Sequence, residues 1–257
     1  MIEKESLPSK LIRVLKRDGL FKIVKRIVLS PITKIKRKRF EENIYGSSRE
    51  KVFSAIYKTN YWANEESISG NGSTLEYTNN TRQKLISIVH QFNINTIVDL
   101  CCGDFNWMSK TIDSMDVNYT GIDIVPSLIK NNNDKYTGSN LSFIVGDACK
   151  DIIPECDLLI LRDSLFHFSF LDTNEVLSNL KNTSYKYLLT TTYMHENPKM
   201  NKDISTGAFR FIDLSVHPYN FKLSKSLFSV SEPSEGGFNR CMVLLEKNDV
   251  PDKLQGV

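Results

Sequence analysis

From residue 96 onward, apolar residues come in short runs broken at regular intervals by polar and glycine-containing stretches. Runs at 96–100, 119–123, 141–145, 157–161 and 185–191 have the length and the Val, Ile, Leu and Tyr content of buried strands. Between them, 107–115, 127–135 and 173–181 place apolar residues three and four apart, which predicts helices. Strands interleaved with helices predict a mainly parallel sheet covered on both faces. Two more strand-sized runs, 227–230 and 241–246, flank the turn-rich "SEPSEGGFNR" and predict a terminal hairpin, for about seven strands in all. Upstream, "VFSAIYKTNYW" (52–62) reads as an aromatic-rich helix, 66–78 as a glycine-punctuated loop, and 79–92 as an amphipathic helix with Leu85, Ile88, Val89 and Phe92 on its apolar stripe.

The first forty residues have another pattern. "SKLIRVLKRDGLFKIVKRIVLSP" (9–31) mixes apolar and basic residues at helical spacing. Its two apolar faces would oppose each other on one continuous helix, so Asp18-Gly19 is expected to separate two short helices, and Pro31 to end the second. Charge sharpens the division: the net +3 of the 257 residues is +10 over residues 1–40 and −7 over the rest. The expected organisation is a basic arm (1–44) before a single domain (45–257), in which 45–93 supply helices and a lid loop and 94–257 the core. Such an arm suits an anionic membrane surface, where each basic residue contributes about 1 kcal/mol. The competing reading docks its apolar stripes on the domain or on a second subunit. Nucleic acid is not expected, since no aromatic residues interleave the charge.

Other classes are excluded more simply. No apolar run is long enough to span a membrane, and residues 1–10 lack the apolar stretch of a signal peptide. Five cysteines without C-x-x-C spacing argue against a zinc site or a disulfide framework and fit a reducing cytoplasm.

In an open parallel sheet, ligands bind beyond the carboxyl ends of the strands. Asp99 closes the first strand, Asp123 the second, and Asp147 comes just after the third. Asp123 lies twenty residues after Gly103, the offset at which a carboxylate takes ribose hydroxyls; that spacing alone leaves open a dinucleotide or another adenosine-bearing ligand. A dinucleotide wants G-x-G-x-x-G before a helix, whereas here Gly103 is succeeded by Asp104, Phe105, Asn106 and Trp107. No P-loop occurs either. The expected ligand is therefore an adenosine carrying positive charge, which is the character of S-adenosylmethionine.

With "VDLCCGDF", "YTGIDIV", "FIVGDAC" and "CDLLILRDSLFHFS" in this order, the chain resembles the class I S-adenosylmethionine-dependent methyltransferases, whose fold is Rossmann-like. The resemblance implies that Gly103 admits the methionine part, Asp99 lies beneath it, Asp123 holds the ribose, and Asp147 with Ala148 meets the adenine. Arg82, Cys101, Asp104, Ile124 and Arg162 complete the expected cofactor set, Arg82 as a grip on the ligand carboxylate and Asp104 as a helix cap or a neighbour of the cation. Cys101 and Asp104 replace the small residue and second glycine of the fuller motif. A longer resemblance over residues 53–218, through "IYKTNYW", "ESISGNGST", "RDSLFHFS" and "NKDISTGAFRFIDL", is to a bacterial methyltransferase group associated with surface-polysaccharide synthesis. It implies O-methylation of a carbohydrate or of a phosphate- or phosphoramidate-containing glycan precursor. The alternatives are a membrane-associated scaffold that keeps the fold without turnover, and an NAD-dependent enzyme.

For a hydroxyl nucleophile, His167 is the candidate base and Asp163 the group that would orient or replace it. Packing between Phe166 and Phe168 is the competing role for His167, and an Arg162–Asp163 ion pair the competing role for that acid. Tyr61, Trp62, His195, Asn201 and Arg210 are the candidates for substrate contact, the last three from a long polar connection after the fifth strand. A His195, Asp203 and His217 metal site matches no ligand spacing, so no metal is expected. The setting expected for the chain is cytoplasmic, at or near the inner face of the membrane.

Overall fold

The computed structural model describes residues 38–136, 138–194, 201–233 and 239–257. The chain divides into two compact units, Met1–Ile44 and Tyr45–Val257. Of the first unit only residues 38–44 are described, and they are helical. The two helices expected in the arm lie outside the described residues, as does His195.

In the second unit, seven strands form one sheet: β1 (Thr96–Leu100), β2 (Asn118–Asp123), β3 (Leu141–Val145), β4 (Cys156–Leu161), β5 (Tyr185–Met194), β6 (Phe228–Ser231) and β7 (Asn239–Glu246). Their order is β3-β2-β1-β4-β5-β7-β6. The first five are parallel, β7 runs antiparallel between β5 and β6, and β6 and β7 form the expected terminal hairpin. The order reverses between β1 and β4, so a crevice opens beyond their carboxyl ends.

Among the described residues of this unit, four α-helices accompany the sheet: α1 (Arg49–Lys58), α2 (Asn79–Gln91), α3 (Pro126–Lys135) and α4 (Phe170–Asn182). Ser48 and Ser169 cap α1 and α4 by accepting from the backbone N–H groups of Lys51 and Asp172. Each such cap stabilises its helix by about 1 kcal/mol. Pro126 opens α3, where its fixed φ suits the first turn and its missing N–H costs nothing.

Alternation along the strands divides the core into two layers. Val98, Leu159, Leu161, Leu188, Val243 and Leu245 pack with Val176, Leu177 and Leu180 of α4. Ile97, Leu158, Ile160, Leu189, Met242 and Leu244 point the other way, towards Leu85, Ile88 and Val89 of α2 and Leu128 and Ile129 of α3. Each fully buried aliphatic side chain contributes about 1.5–3 kcal/mol, which is what holds these helices to the sheet.

Two expected elements differ. The helix expected over 52–62 ends at Lys58, and 59–62 form turns. Residues 107–115 do not form an α-helix; they make two separate 3-10 turns, Met108–Lys110 and Ile112–Ser114, with Thr111 at φ −131° between them. Trp107, Met108, Ile112 and Met115 are all buried in the α2–α3 layer, so burial is met without continuous helix and overrides the helical spacing.

Candidate active site

The site is assembled around the turn that leaves β1. Cys101, Gly103 and Phe105 all adopt positive φ, at 65°, 59° and 57°. Phe105 is compensated by burial against Tyr119, Tyr136 and Phe143, with ring centroids 4.9–5.0 Å away. At Gly103 a side chain has no room, because a Cβ would lie 2.3 Å from Ser69 Oγ. The turn is held from below by Asp123, which accepts from the N–H groups of Gly103 and Val125, each at 3.1 Å. Asn132 of α3 donates to the Gly103 carbonyl at 2.8 Å. Asp123 therefore reaches back into the crevice beside Gly103, and burial raises its pKa.

Asp99 lies deeper. It is 3% exposed and accepts from the Tyr119 hydroxyl at 2.8 Å. Burial raises its pKa to about 7, against the opposing Tyr119 hydrogen bond and the Arg162 charge. The rim of β1 and β2 thus offers two carboxylates whose ionisation burial makes costly and a cation would relieve.

Residues 67–73 lie over the turn. Asp104, expected as a helix cap or ligand neighbour, caps no helix; its carboxylate accepts from the Ser67 hydroxyl and the Ile68 N–H at 2.9–3.0 Å. Its own N–H donates to Ser69 Oγ at 3.0 Å. Asn106 adds bonds to Glu66 and to the Ser73 carbonyl. From Ser69 the lid runs to Gly70, which abuts Trp62, and to Gly72, where a Cβ would fall 2.5 Å from Asp163 Oδ2. One loop therefore joins the β1 turn to the end of β4.

At that end, Arg162 and Asp163 form an ion pair of 3.0 Å inside a larger network. Arg162 also donates to Glu232 at 2.8 Å and to the Gly72 carbonyl at 2.7 Å, and its guanidinium lies over the Trp107 ring. Arg240 bonds Asp163 and pairs with Glu232 at 3.1 Å. Thr81 and Thr191 donate to Glu232 and Asp163. Burial favours the neutral Asp163 carboxyl, but the two guanidiniums outweigh it and hold its pKa below the ordinary value. Asp163 sits at φ 56°, a conformation non-glycine residues rarely take, and this network holds it there. Of the two roles open to Arg162 and Asp163, the geometry displays the ion pair, with the lid carbonyl as an added partner.

His167 comes next, in a 3-10 turn (Leu165–His167). Its Nδ1 lies 2.7 Å from the Ala208 carbonyl, which only accepts, so Nδ1 carries the proton and Nε2 the lone pair. The backbone, rather than Asp163, thus sets its tautomer. Burial lowers its pKa to about 4, so the ring is neutral near pH 7. Trp62 lies 5.2 Å from it by ring centroids, Phe166 4.6 Å and Phe209 5.9 Å.

Arg210 and Asn201, expected to face substrate, are turned inward. Arg210 donates to the Phe168 carbonyl at 2.6 Å and to the Tyr219 hydroxyl, and lies over the Phe170 ring. Asn201 donates to the carbonyls of Asp213, Val216 and His217 and accepts from the Asp213 N–H. Both brace the 201–225 segment, which in turn holds His167 through Gly207 and Ala208. Tyr61 is half-buried beside Trp62. Arg82 donates one N–H to the Leu75 carbonyl, while its buried Nε has no partner among the described residues.

Asp147 and Ala148 are buried after β3, and Ile124 with Asp147 lines a cavity of about 740 Å³. Asp147 is bound by Arg49, the first residue of α1, which sequence reading did not single out. Arg49 also bridges to Asp172 and Glu175, both at 2.7 Å. Among the described residues, Cys149, Asp172 and Glu175 bring ligand atoms within 4.8 Å of one another, but the guanidinium already supplies the cation there. Glu232 and Arg240 were also missed; their partners lie 70 and 77 residues away, and no local pattern marks them.

No protein-family model and no curated protein sequence matches the chain. Solved structures do. Human N-acetylserotonin methyltransferase in complex with S-adenosylmethionine aligns over 79% of this chain with a TM-score of 0.53 at 14% identity; the chain spans 61% of that enzyme's length. Magnesium protoporphyrin IX methyltransferase from Synechocystis PCC 6803, with the same molecule bound, aligns over 78% of this chain and 98% of its own, with a TM-score of 0.55 at 10% identity. The fold is that of the class I methyltransferases. The turn at 101–106, the acids near the ends of β1 and β2, and the segment after β4 all lie on the carboxyl rim of the sheet. Identities this low carry the fold, and the chemistry has to be argued from the residues themselves.

Proposed function

We propose that the chain is an S-adenosylmethionine-dependent O-methyltransferase. The observation that carries this reading is the backbone beyond Gly103, where 3-10 turns stand in place of an α-helix, so the helix N-terminus on which a pyrophosphate would rest is missing. The groups gathered there are the carboxylates of buried Asp99 and half-buried Asp123, which suit a sulfonium and an ammonium and oppose a diphosphate. The orphaned Arg82 Nε is a donor suited to the ligand's single carboxylate. These residues fit the cofactor better than they fit NAD.

In this reading Gly103, Asp99 and Asp123 hold the methionine and ribose parts, with Ile124, Asp147 and Ala148 at the adenine and Cys101 in the wall of the turn. The bound cofactor would supply an electrophilic methyl group. The protein's own task is to exclude water with the 67–73 lid and to align the acceptor oxygen, for which positioning can contribute about 7–11 kcal/mol. His167 Nε2 accepts the acceptor's proton. A base with a pKa of about 4 is weak, yet it suffices, because an oxygen forming its third bond becomes strongly acidic before the proton leaves.

The finer reading rests on the sequence resemblance: the acceptor is a carbohydrate or a phosphate- or phosphoramidate-containing precursor of a surface polysaccharide, and the basic arm brings the enzyme to an anionic membrane. Among the described residues no helix is long and apolar enough to cross a membrane. Two measurements test the proposal. Calorimetry should give heat with S-adenosylhomocysteine and none with NAD; the reverse ends the cofactor reading. Labelled methyl from the cofactor should enter a glycan-precursor extract; tight binding with no transfer to any acceptor leaves a scaffold.

A further inference from the structure

Beyond the β2 and β3 ends, a cavity of about 740 Å³ is walled by Ile124, Gly146 and Asp147 from the sheet, Asp172 from α4, Thr206 from the long connection, and Arg49 from α1. Asp147 is fixed from several sides. Arg49 Nε and Nη2 both reach its Oδ2, each at 3.0 Å. The Cys149 N–H donates to Oδ1 at 3.0 Å, and the N–H of Asp147 itself donates to Asp151 at 2.8 Å. Two donors on Oδ2 and one on Oδ1 leave Oδ1 with an acceptor position to spare. Arg49 is in turn locked by Asp172 and Glu175, and Asp172 is bound by Thr206. The guanidinium therefore cannot swing away from Asp147 without breaking two further charge-assisted bonds.

We propose that Arg49 is a positioning residue for the nucleoside end of the cofactor site: it aims the Asp147 carboxylate so that Oδ1 reads the exocyclic amine of adenine. The inference rests on the methyltransferase reading and adds to it a residue outside the sheet, from a helix that begins 47 residues before β1. A planar fork serving three carboxylates at once cannot be replaced by lysine, whose single ammonium can sit on one or two of them. A carboxylate released from that fork can rotate and still accept hydrogen bonds, but no longer in one fixed direction.

The test compares S-adenosylhomocysteine with S-inosylhomocysteine, which carries a carbonyl oxygen where adenine has its amine. Calorimetry is run on the full chain and on Arg49→Lys, Arg49→Ala and Asp147→Asn, each first checked for an unchanged melting profile. The native chain should prefer the adenine compound by about tenfold or more, the usual worth of a hydrogen bond to a charged group. In Arg49→Ala and Asp147→Asn that preference should fall to near unity, and Arg49→Lys should keep part of it. Equal losses for both compounds, with the preference kept, would make Arg49 merely structural and overturn the inference. So would a native chain that binds the adenine compound without preferring it. If Arg49→Ala does not fold, Arg49→Lys and Asp147→Asn carry the same comparison. A native chain that binds neither compound overturns the cofactor reading itself, a result distinguishable from the others.

Discussion

At the scale of single residues, the site is governed by what burial does to protons. Burial lifts the Asp99 pKa to about 7, and a cationic ligand favours its ionised form. Binding of S-adenosylhomocysteine, which keeps the ammonium, is therefore expected to release a proton and to tighten as pH rises from 6 to 8. Calorimetry in buffers of different ionisation heat measures that proton; an affinity flat across the range would contradict it. His167 works in the opposite sense. Its folded pKa of about 4 lies below the ordinary 6.5, so the unfolded chain binds the proton first and this contribution to stability is lost as pH falls from 6.5 to 4. The neutral base persists throughout, so turnover at saturating cofactor should stay level from pH 8 down to about 5, where an unperturbed histidine would have cut it by about thirtyfold. His167→Ala should slow turnover by about a hundredfold with little change in cofactor affinity. An unchanged rate would move the base elsewhere.

Among elements, the lid and its clasp carry the prediction. Asp104 joins the β1 turn to Ser67 and Ile68 with charge-assisted bonds, so Asp104→Ala should loosen residues 67–73 while leaving the sheet intact. The expected result is faster release of S-adenosylhomocysteine, by about tenfold or more, read by stopped-flow fluorescence. Trp62, set against Gly70, is a natural reporter. An unaltered release rate would mean that the loop does not gate the site. The elements themselves were largely legible. β1 and β3 match their expected bounds residue for residue, because each is a short apolar run opened by an Asn and ended at or just before a Gly-containing turn. The 107–115 stretch was not, because Met108, Ile112 and Met115 fit a helical stripe although two tight turns bury them equally well. The capping role expected of Asp104 falls with that helix: its carboxylate bonds Ser67 and Ile68 of the lid instead.

For the whole molecule, charge is the dividing feature. The +10 of residues 1–40 against −7 beyond them predicts that the full chain sediments with vesicles containing anionic lipid, and does so less as salt rises. Equal sedimentation with neutral vesicles would reject an electrostatic mechanism. Long range is also where sequence reading ran out. The acids at strand ends could be placed because the sheet rule says where to look, and Asp123 does lie beside Gly103. Nothing near Arg162 announces Glu232, nothing near Asp147 announces Arg49, and nothing near Arg210 announces that it turns away from solvent towards Tyr219. Such pairings exist only once the sheet has brought distant segments together.

The place of β7 has a temporal corollary. Arg240 lies on this strand and Glu232 just after β6, and together they brace Asp163 and Arg162, whose other partner is the Gly72 carbonyl. A ribosome that has finished all five parallel strands has therefore produced a core still lacking the keystone of its lid. Nascent chains stalled before residue 228 should be compact yet unable to retain nucleoside, and competence should arrive abruptly as the final hairpin emerges.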